Sequence, residues 1–188
     1  MAETEEAQRL FFALWPPADL QKELAEAARA ALGGRRGRLV PAENLHVTLA
    51  FLGEVGPEAR RCAEEAADTL NGEAFPLTLD RLGYWARRGL LWAGPTRTPE
   101  ALPALADELG RALEPCGVER DRRPFQVHIT VARKAARMPG RQVIGPLEWR
   151  VDRFVLVASS LGPQGAAYTT LREWPLADTG NAQASEER

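Results

Sequence analysis

The chain has two histidines, and each begins the same tetrapeptide pattern of His, an aliphatic residue, Thr and a second aliphatic residue, at positions 46–49 and 128–131. Both patterns lie in stretches where apolar and polar residues alternate, residues 45–52 and 126–132. Alternation with a period of two is typical of a β-strand that has one buried face. The phase is the same in both stretches, so each strand is expected to present its histidine and its threonine on one face. The fold must therefore contain two equivalent strands of this kind.

The elements around the two strands also repeat. A helical pattern over residues 18–32 ends at two glycines and is followed by an arginine-rich loop, a proline and the first histidine strand. A second helical pattern over residues 98–114 leads in the same way into the other histidine strand. Further predicted elements are a helix over 57–70, strands over 10–15, 75–79, 81–85, 90–93, 151–158 and 167–174, and a loop over 135–147.

The spacing of these elements indicates the fold class. Several links are too short for parallel crossovers, so the strands are expected to be mainly antiparallel. We predict an α+β fold that is bilobal, with two pseudo-symmetric lobes of mainly antiparallel sheet, helices outside, and a central cleft shared by both histidine strands. The length fits one such domain over residues 1–178, followed by a disordered tail over residues 179–188.

Arginine supplies most of the positive charge. Of the 24 lysines and arginines 22 are arginine, while the net charge of the chain is −2. That net charge argues against general affinity for nucleic acid, but basic residues cluster at 35–38, 87–88, 120–123 and 133–141, near the histidine strands. The planar guanidinium suits phosphate oxygens, so a local anion site is one interpretation. The other interpretation of these clusters is that the chain simply uses arginine in preference to lysine.

The cysteines and the hydropathy indicate the cellular setting. Cys62 and Cys116 are far apart in sequence and are expected to be reduced packing residues of a cytosolic protein. No apolar run approaches the ~20 residues that a membrane span needs, and the acidic N-terminus does not resemble a signal peptide. The protein is therefore expected to be soluble, cytoplasmic, monomeric and without a membrane partner.

The histidines are candidates for proton transfer. An imidazole has an unperturbed pKa of about 6.5, so two that face one substrate can supply both an acid and a base. The threonines add short neutral hydrogen-bond donors. The alternative is that these are ordinary half-exposed polar positions on two sheets. Neither motif has a carboxylate or a cysteine at ligand spacing beside its histidine, so no metal site and no cofactor are predicted.

Beyond the tetrapeptides, the chain resembles the 2H phosphoesterase superfamily, in particular its bacterial RNA 2′,3′-cyclic phosphodiesterases, also called 2′-5′ RNA ligase-like proteins. The residues that carry the resemblance are 9–13, 44–53, 123–125, 128–130, 159–160 and 168–169. The stretch around His46 is highly specific. One departure is Val127, where family members often carry proline before the second histidine.

The resemblance implies metal-independent hydrolysis of 2′,3′-cyclic phosphate at RNA 3′ ends, which yields a 2′-phosphomonoester. In this scheme His46 is similar to the family's proton donor and His128 to its proton acceptor, although sequence alone leaves the two roles exchangeable. The remaining candidates for binding substrate or phosphate are Thr48 and Thr130 on the non-bridging oxygens, Arg133 on the phosphate, and Tyr168.

Three alternatives fit the same motifs. The chain could join RNA ends through a 2′-5′ linkage, open the cyclic phosphate of a small nucleotide, or bind RNA ends without catalysis. Recognition of an unpaired base would need an aromatic or apolar wall. The candidates for that wall are Phe12, Phe51, Trp85, Trp92, Phe125 and Tyr168.

Overall fold

The computed structural model describes residues 7–136, 143–162 and 165–178. The α-helices in this part of the chain are α1 (Ala18–Leu32), α2 (Pro57–Asp68) and α3 (Ala101–Leu113). The strands are β1 (Gln8–Leu14), β2 (Arg38–Leu39), β3 (Val47–Val55), β4 (Phe75–Trp85), β5 (Leu90–Gly94), β6 (Ile129–Arg133), β7 (Val143–Val151), β8 (Arg153–Gly162) and β9 (Gly165–Pro175). Short 3-10 helices span Ala42–Asn44, Ala86–Arg88 and Glu114–Cys116. The predicted tail, residues 179–188, lies outside the described residues.

The strands form one open antiparallel sheet in the order β7-β4-β5-β6-β3-β1-β8-β9, with β2 also paired to β6. Two four-stranded halves meet at the centre, where Val47 of β3 pairs with Ile129 of β6. A strand, a helix and a histidine strand recur in each half of the chain, as β1, α1 and β3 and as β5, α3 and β6. The predicted α+β fold with mainly antiparallel sheet is confirmed.

The helices join the two halves of the sheet. The helix before each histidine strand packs on the half of the sheet that does not contain that strand. Helix α1, which precedes β3, lies against β6 and β7, and α3, which precedes β6, lies against β3. Gly33 ends α1 where predicted, with a left-handed φ of 53° that a glycine adopts without strain. No helix in the described ranges has the length and apolarity to cross a membrane.

Strand β1 lies between β3 and β8 and is buried on both faces. Leu10 and Phe12 belong to the main core under the helices, whereas Phe11 packs on the other face with Val155 and Val157 of β8. Burial on both faces explains why the sequence of β1 is almost continuously apolar. It also places aromatic side chains on the face of the sheet away from the helices.

Three predictions differ from the structure by more than a few residues at the end of an element. The segments 75–79 and 81–85 form a single strand, β4, and its pairing with β7 shifts register between Leu79 and Arg81. The predicted loop 135–147 includes the start of β7, and the predicted strand 151–158 is divided at Asp152 between β7 and β8. β7 is an edge strand, and an edge tolerates the proline that had suggested a loop.

The expectation that both cysteines are reduced is wrong. Cys62 in α2 and Cys116 in the 3-10 helix after α3 form a disulfide with their Cα atoms 5.6 Å apart. The two elements meet because α2 packs against α3 and against that 3-10 helix. A separation of 54 residues in sequence gave no sign of this proximity.

Candidate active site

The two histidines lie at equivalent positions, each one residue before its strand. The paired residues Val47 and Ile129 are buried toward the core. Counting the antiparallel register one residue outward places His46 opposite Thr130 and Thr48 opposite His128. The two motifs therefore lie side by side at the centre of the sheet, and His46, Thr48, His128 and Thr130 share the face opposite the core. His46 and His128 are diagonal neighbours in this register. Residues so placed are about 7–8 Å apart, a separation that a phosphate group can bridge.

Each imidazole is held by the same hydrogen bond. Nδ1 of His46 lies 2.7 Å from the carbonyl oxygen of Asn44, and Nδ1 of His128 lies 2.8 Å from that of Gln126. A carbonyl oxygen can only accept, so Nδ1 is the nitrogen that carries the hydrogen in the neutral ring. Nε2 of each histidine is left to accept or donate a proton. Two identical anchors thus prepare both rings for acid–base work.

The carbonyl that anchors His46 is itself fixed in place. Asn44 ends the 3-10 helix Ala42–Asn44, in which the N–H of Leu45 donates to the carbonyl of Ala42. The side-chain amide of Asn44 donates to the carbonyl of Ala166 on β9 at 3.1 Å. This bond connects the approach to the first motif with the far edge of the same half of the sheet.

His46 lies in an aromatic box. The Trp15 ring is stacked on the imidazole at 5.0 Å with an interplanar angle of 3°. Phe11 lies 5.0 Å away, and Tyr168 meets the ring edge-on at 5.3 Å. Burial lowers the pKa of His46 to about 4; the Asn44 hydrogen bond opposes this shift, while the charges of His128 and Arg133 add to it. His46 is therefore uncharged at neutral pH in the free protein.

His128 has a different aromatic neighbour. Trp85, at the end of β4, meets its ring edge-on with the centroids 4.6 Å apart. Burial lowers the pKa of His128, the hydrogen bond to the Gln126 carbonyl raises it, and the charge of Arg88 lowers it again. Both histidines are thus mainly neutral near pH 7, and the charge of an arginine, Arg133 for His46 and Arg88 for His128, disfavours the protonated form of each.

One cleft of about 2450 Å³ contains the whole candidate site. All six residues predicted from the sequence line it: His46, Thr48, His128, Thr130, Arg133 and Tyr168. Trp85, Phe125 and Phe51 also line it, together with arginines 9, 38, 87, 88, 120, 122 and 123. In the described part of the chain no group of three or more His, Cys, Asp or Glu side chains is arranged to hold a metal ion.

The aromatic candidates for base recognition divide into two groups. Phe12 and Trp92 are buried, with 0% and 5% of their surface exposed, and do not line the cleft. The alternation over residues 45–52 puts Phe51 in phase with the buried Val47 and Leu49, yet Phe51 is 66% exposed at the cleft, beside Phe11. The pairing of β3 with β1 shifts register twice around this position, and such bulges change the face on which a side chain lies.

Comparison with known proteins assigns the family. Residues 16–163 match the model of the 2′-5′ RNA ligase superfamily. The chain belongs to this superfamily. It is 36% identical over 173 residues to the RNA 2′,3′-cyclic phosphodiesterase of Escherichia coli, covering 91% of this chain and 98% of that protein. The protein of the same name from Thermus thermophilus is 35% identical, with 94% of each chain covered.

Solved structures of the superfamily show the same fold. The crystal structure of E. coli LigT complexed with 3′-AMP superimposes with a TM-score of 0.85 at 35% identity, covering 91% of this chain and 99% of that one. The superposition extends over both halves of the sheet, so the paired histidine motifs lie within the shared architecture.

Two site residues were missed by the sequence reasoning. Trp15 and Phe11 contact His46 directly, yet they belonged to a segment interpreted only as a buried strand. Phe11 lies on the same face of β1 as Ala13, and Trp15, the residue after the end of β1, packs on that side of the sheet too. An apolar strand without polar alternation is a sign of two buried faces, and that signal could have identified them.

Proposed function

We propose that this protein hydrolyses 2′,3′-cyclic phosphate at RNA 3′ ends to a 2′-phosphomonoester without a metal ion, with His46 as proton donor and His128 as proton acceptor. The observation that carries the proposal is the pair of imidazoles whose Nδ1 atoms are both held by carbonyls, leaving two Nε2 atoms for one cleft. The names of the relatives support the substrate class, because they are RNA 2′,3′-cyclic phosphodiesterases. The E. coli neighbour complexed with 3′-AMP supports a nucleotide ligand.

The proposed reaction divides two proton transfers between opposite sides of phosphorus. Nε2 of His128 takes a proton from a water molecule as its oxygen bonds to phosphorus. Nε2 of His46 gives a proton to the 3′ oxygen of the ribose as the bond from that oxygen to phosphorus breaks. The phosphate remains on the 2′ oxygen, and the next cycle needs one proton returned to His46 and one removed from His128.

The other polar residues would stabilise the phosphate. Thr48 and Thr130 have hydroxyls that can donate to the non-bridging oxygens, where negative charge grows in the transition state. Arg133 lies at the end of β6, and its positive charge acts on His46. A bound phosphate anion would offset this positive charge and favour protonation of His46. The substrate thereby helps to charge the acid that its own cleavage needs.

The lowered pKa values predict a particular dependence on pH. The reaction needs one ring protonated and one neutral, so kcat/KM should be bell-shaped with its maximum below pH 6.5, the ordinary histidine pKa from which both groups are lowered. On the acid side of the maximum both rings become protonated and no base remains; on the alkaline side both become neutral and no acid remains. The maximum of kcat should lie at higher pH, because bound phosphate raises both pKa values. Steady-state kinetics across pH measure both profiles, and a kcat/KM maximum well above pH 6.5 would contradict the desolvated histidines.

Product analysis separates the proposed hydrolase from its alternatives. A short RNA ending in 2′,3′-cyclic phosphate is incubated with the protein and a chelator, and the products are followed by ³¹P NMR. We expect one 2′-phosphomonoester and no loss of rate from the chelator. A ligated product on adding an RNA with a free 5′ hydroxyl would instead favour 2′-5′ ligation. Turnover of cyclic mononucleotides but not of RNA would favour a phosphodiesterase of small cyclic nucleotides. Binding of RNA without any turnover would favour a non-catalytic module.

A further inference from the structure

The turn between β4 and β5 carries two arginines that the proposed chemistry does not use. Arg87 and Arg88 lie in the 3-10 helix Ala86–Arg88, are exposed, and line the cleft on the side of His128. Within the described residues neither forms a salt bridge. In contrast, the cleft arginines 120 and 123 are paired with Asp107 and Asp121. The turn thus offers positive charge that is not paired with a carboxylate within the described residues.

Contacts at both ends hold this turn against the second histidine motif. At its start, Trp85 packs edge-on against His128. At its end, the carbonyl of Gly89 accepts a hydrogen bond of 3.0 Å from the N–H of Ala135, which follows β6. The hydroxyl of Tyr84 donates to the carbonyl of Ala135 at 2.9 Å. The two guanidinium groups are therefore attached to a backbone whose position relative to His128 is fixed.

The opposite side of the cleft has a different character. Phe51 and Leu161 are 66% and 83% exposed there, and both line the cleft with Tyr168. An apolar wall suits a nucleobase, whereas a pair of arginines suits an anion. Arg133 is assigned to the reacting phosphate, so Arg87 and Arg88 remain available to bind a second anion. In an RNA strand that anion is the neighbouring internucleotide phosphate.

We propose that Arg87 and Arg88 form a subsite for the internucleotide phosphate immediately upstream of the 3′-terminal nucleotide, so that the preferred substrate is an oligonucleotide. This inference rests on the proposed function, because it assumes a cyclic phosphate at the histidines. Trp85, the residue before the turn, has its ring centroid 4.6 Å from that of His128, and the charge of Arg88 acts on the same imidazole. The subsite would align the strand by its backbone and would not select its sequence.

The test compares three substrates: a nucleoside 2′,3′-cyclic phosphate, a dinucleotide with the same cyclic end, and that dinucleotide with an uncharged methylphosphonate linkage. The wild-type chain should prefer the charged dinucleotide by about 10-fold or more in kcat/KM over either other substrate. In the double variant Arg87→Gln/Arg88→Gln this preference should disappear. Ratios between substrates are compared at one pH, so a change in the pKa of His128 affects all three alike.

Arg97→Gln is the matched control. Arg97 is exposed in the loop between β5 and α3 and does not line the cleft. Its substitution removes one positive charge, as does each of the single variants Arg87→Gln and Arg88→Gln, with which it is compared. The Arg97→Gln variant should retain the full preference for the charged dinucleotide. Raising salt should weaken that preference in the wild-type chain and leave the double variant almost unchanged, because counterion release accompanies the phosphate contact.

The outcomes separate this inference from the proposed function. Equal kcat/KM for the charged and uncharged dinucleotides in the wild-type chain would overturn the subsite while leaving the hydrolase intact. A preference that survives in the double variant would overturn the assignment to Arg87 and Arg88. If no cyclic phosphate of any kind is turned over, the proposed function itself fails.

Discussion

Replacing either histidine by alanine is expected to lower kcat by about 10²–10⁴-fold, the usual loss when one positioned acid or base is removed. Each imidazole supplies a proton transfer that its partner cannot perform at the same moment. The double variant His46→Ala/His128→Ala should be little slower than the worse single variant, because groups that act as a unit have non-additive effects. Initial rates on a cyclic-phosphate dinucleotide measure all three.

The histidine variants need a control for structure, since His46 fills the space between Trp15, Phe11 and Tyr168. His46→Gln and His128→Gln keep much of the side-chain volume but cannot transfer a proton in this pH range. They should be as inactive as the alanine variants while retaining the wild-type circular dichroism and melting temperature. Near-full activity in any folded variant would remove that histidine from the mechanism.

The disulfide is expected to have the largest effect on stability. It closes a loop of 54 residues between Cys62 and Cys116. Restricting the unfolded chain over a loop of this length is worth about 4 kcal/mol by the chain-entropy relation. The double variant Cys62→Ala/Cys116→Ala should therefore unfold at a clearly lower urea concentration than the oxidised wild-type chain.

A reductant supplies the control for this prediction. It should lower the urea midpoint of the wild-type chain toward that of the double variant, and it should leave the midpoint of the variant unchanged. Because the cross-link acts mainly on the unfolded state, the native circular dichroism should be the same in both forms. Equal midpoints for the oxidised and reduced wild-type chain would show that the cross-link does not stabilise this fold.

The parts of the fold that could be predicted are those determined by local pattern. The helix over 18–32 has the predicted bounds because both of its signals are local: apolar residues at helical spacing, followed directly by the glycines that end it. Both histidine strands were located by alternation, although each begins after its histidine, at Val47 and Ile129. Their meeting in one cleft followed from the repeated arrangement of elements. Their catalytic roles stay predictions.

The parts that could not be predicted depend on partners distant in sequence. The exposure of Phe51 results from bulges in the pairing of β3 with β1, which the sequence of β3 alone does not specify. Trp15 contacts His46 only because β1 lies beside β3 in the sheet. The disulfide likewise depends on the packing of α2 against α3. Each of these features requires tertiary structure.

A substrate with a better leaving group tests the division of labour between the two histidines most directly. In a 2′,3′-cyclic phosphorothiolate the 3′ oxygen is replaced by sulfur, and a thiolate departs without protonation. We predict that this substrate restores most of the activity of His46→Ala, which lacks the acid, and none of that of His128→Ala, which lacks the base. Rescue of neither variant, or of both equally, would contradict the proposal that the two imidazoles act as separate acid and base on one phosphorus atom.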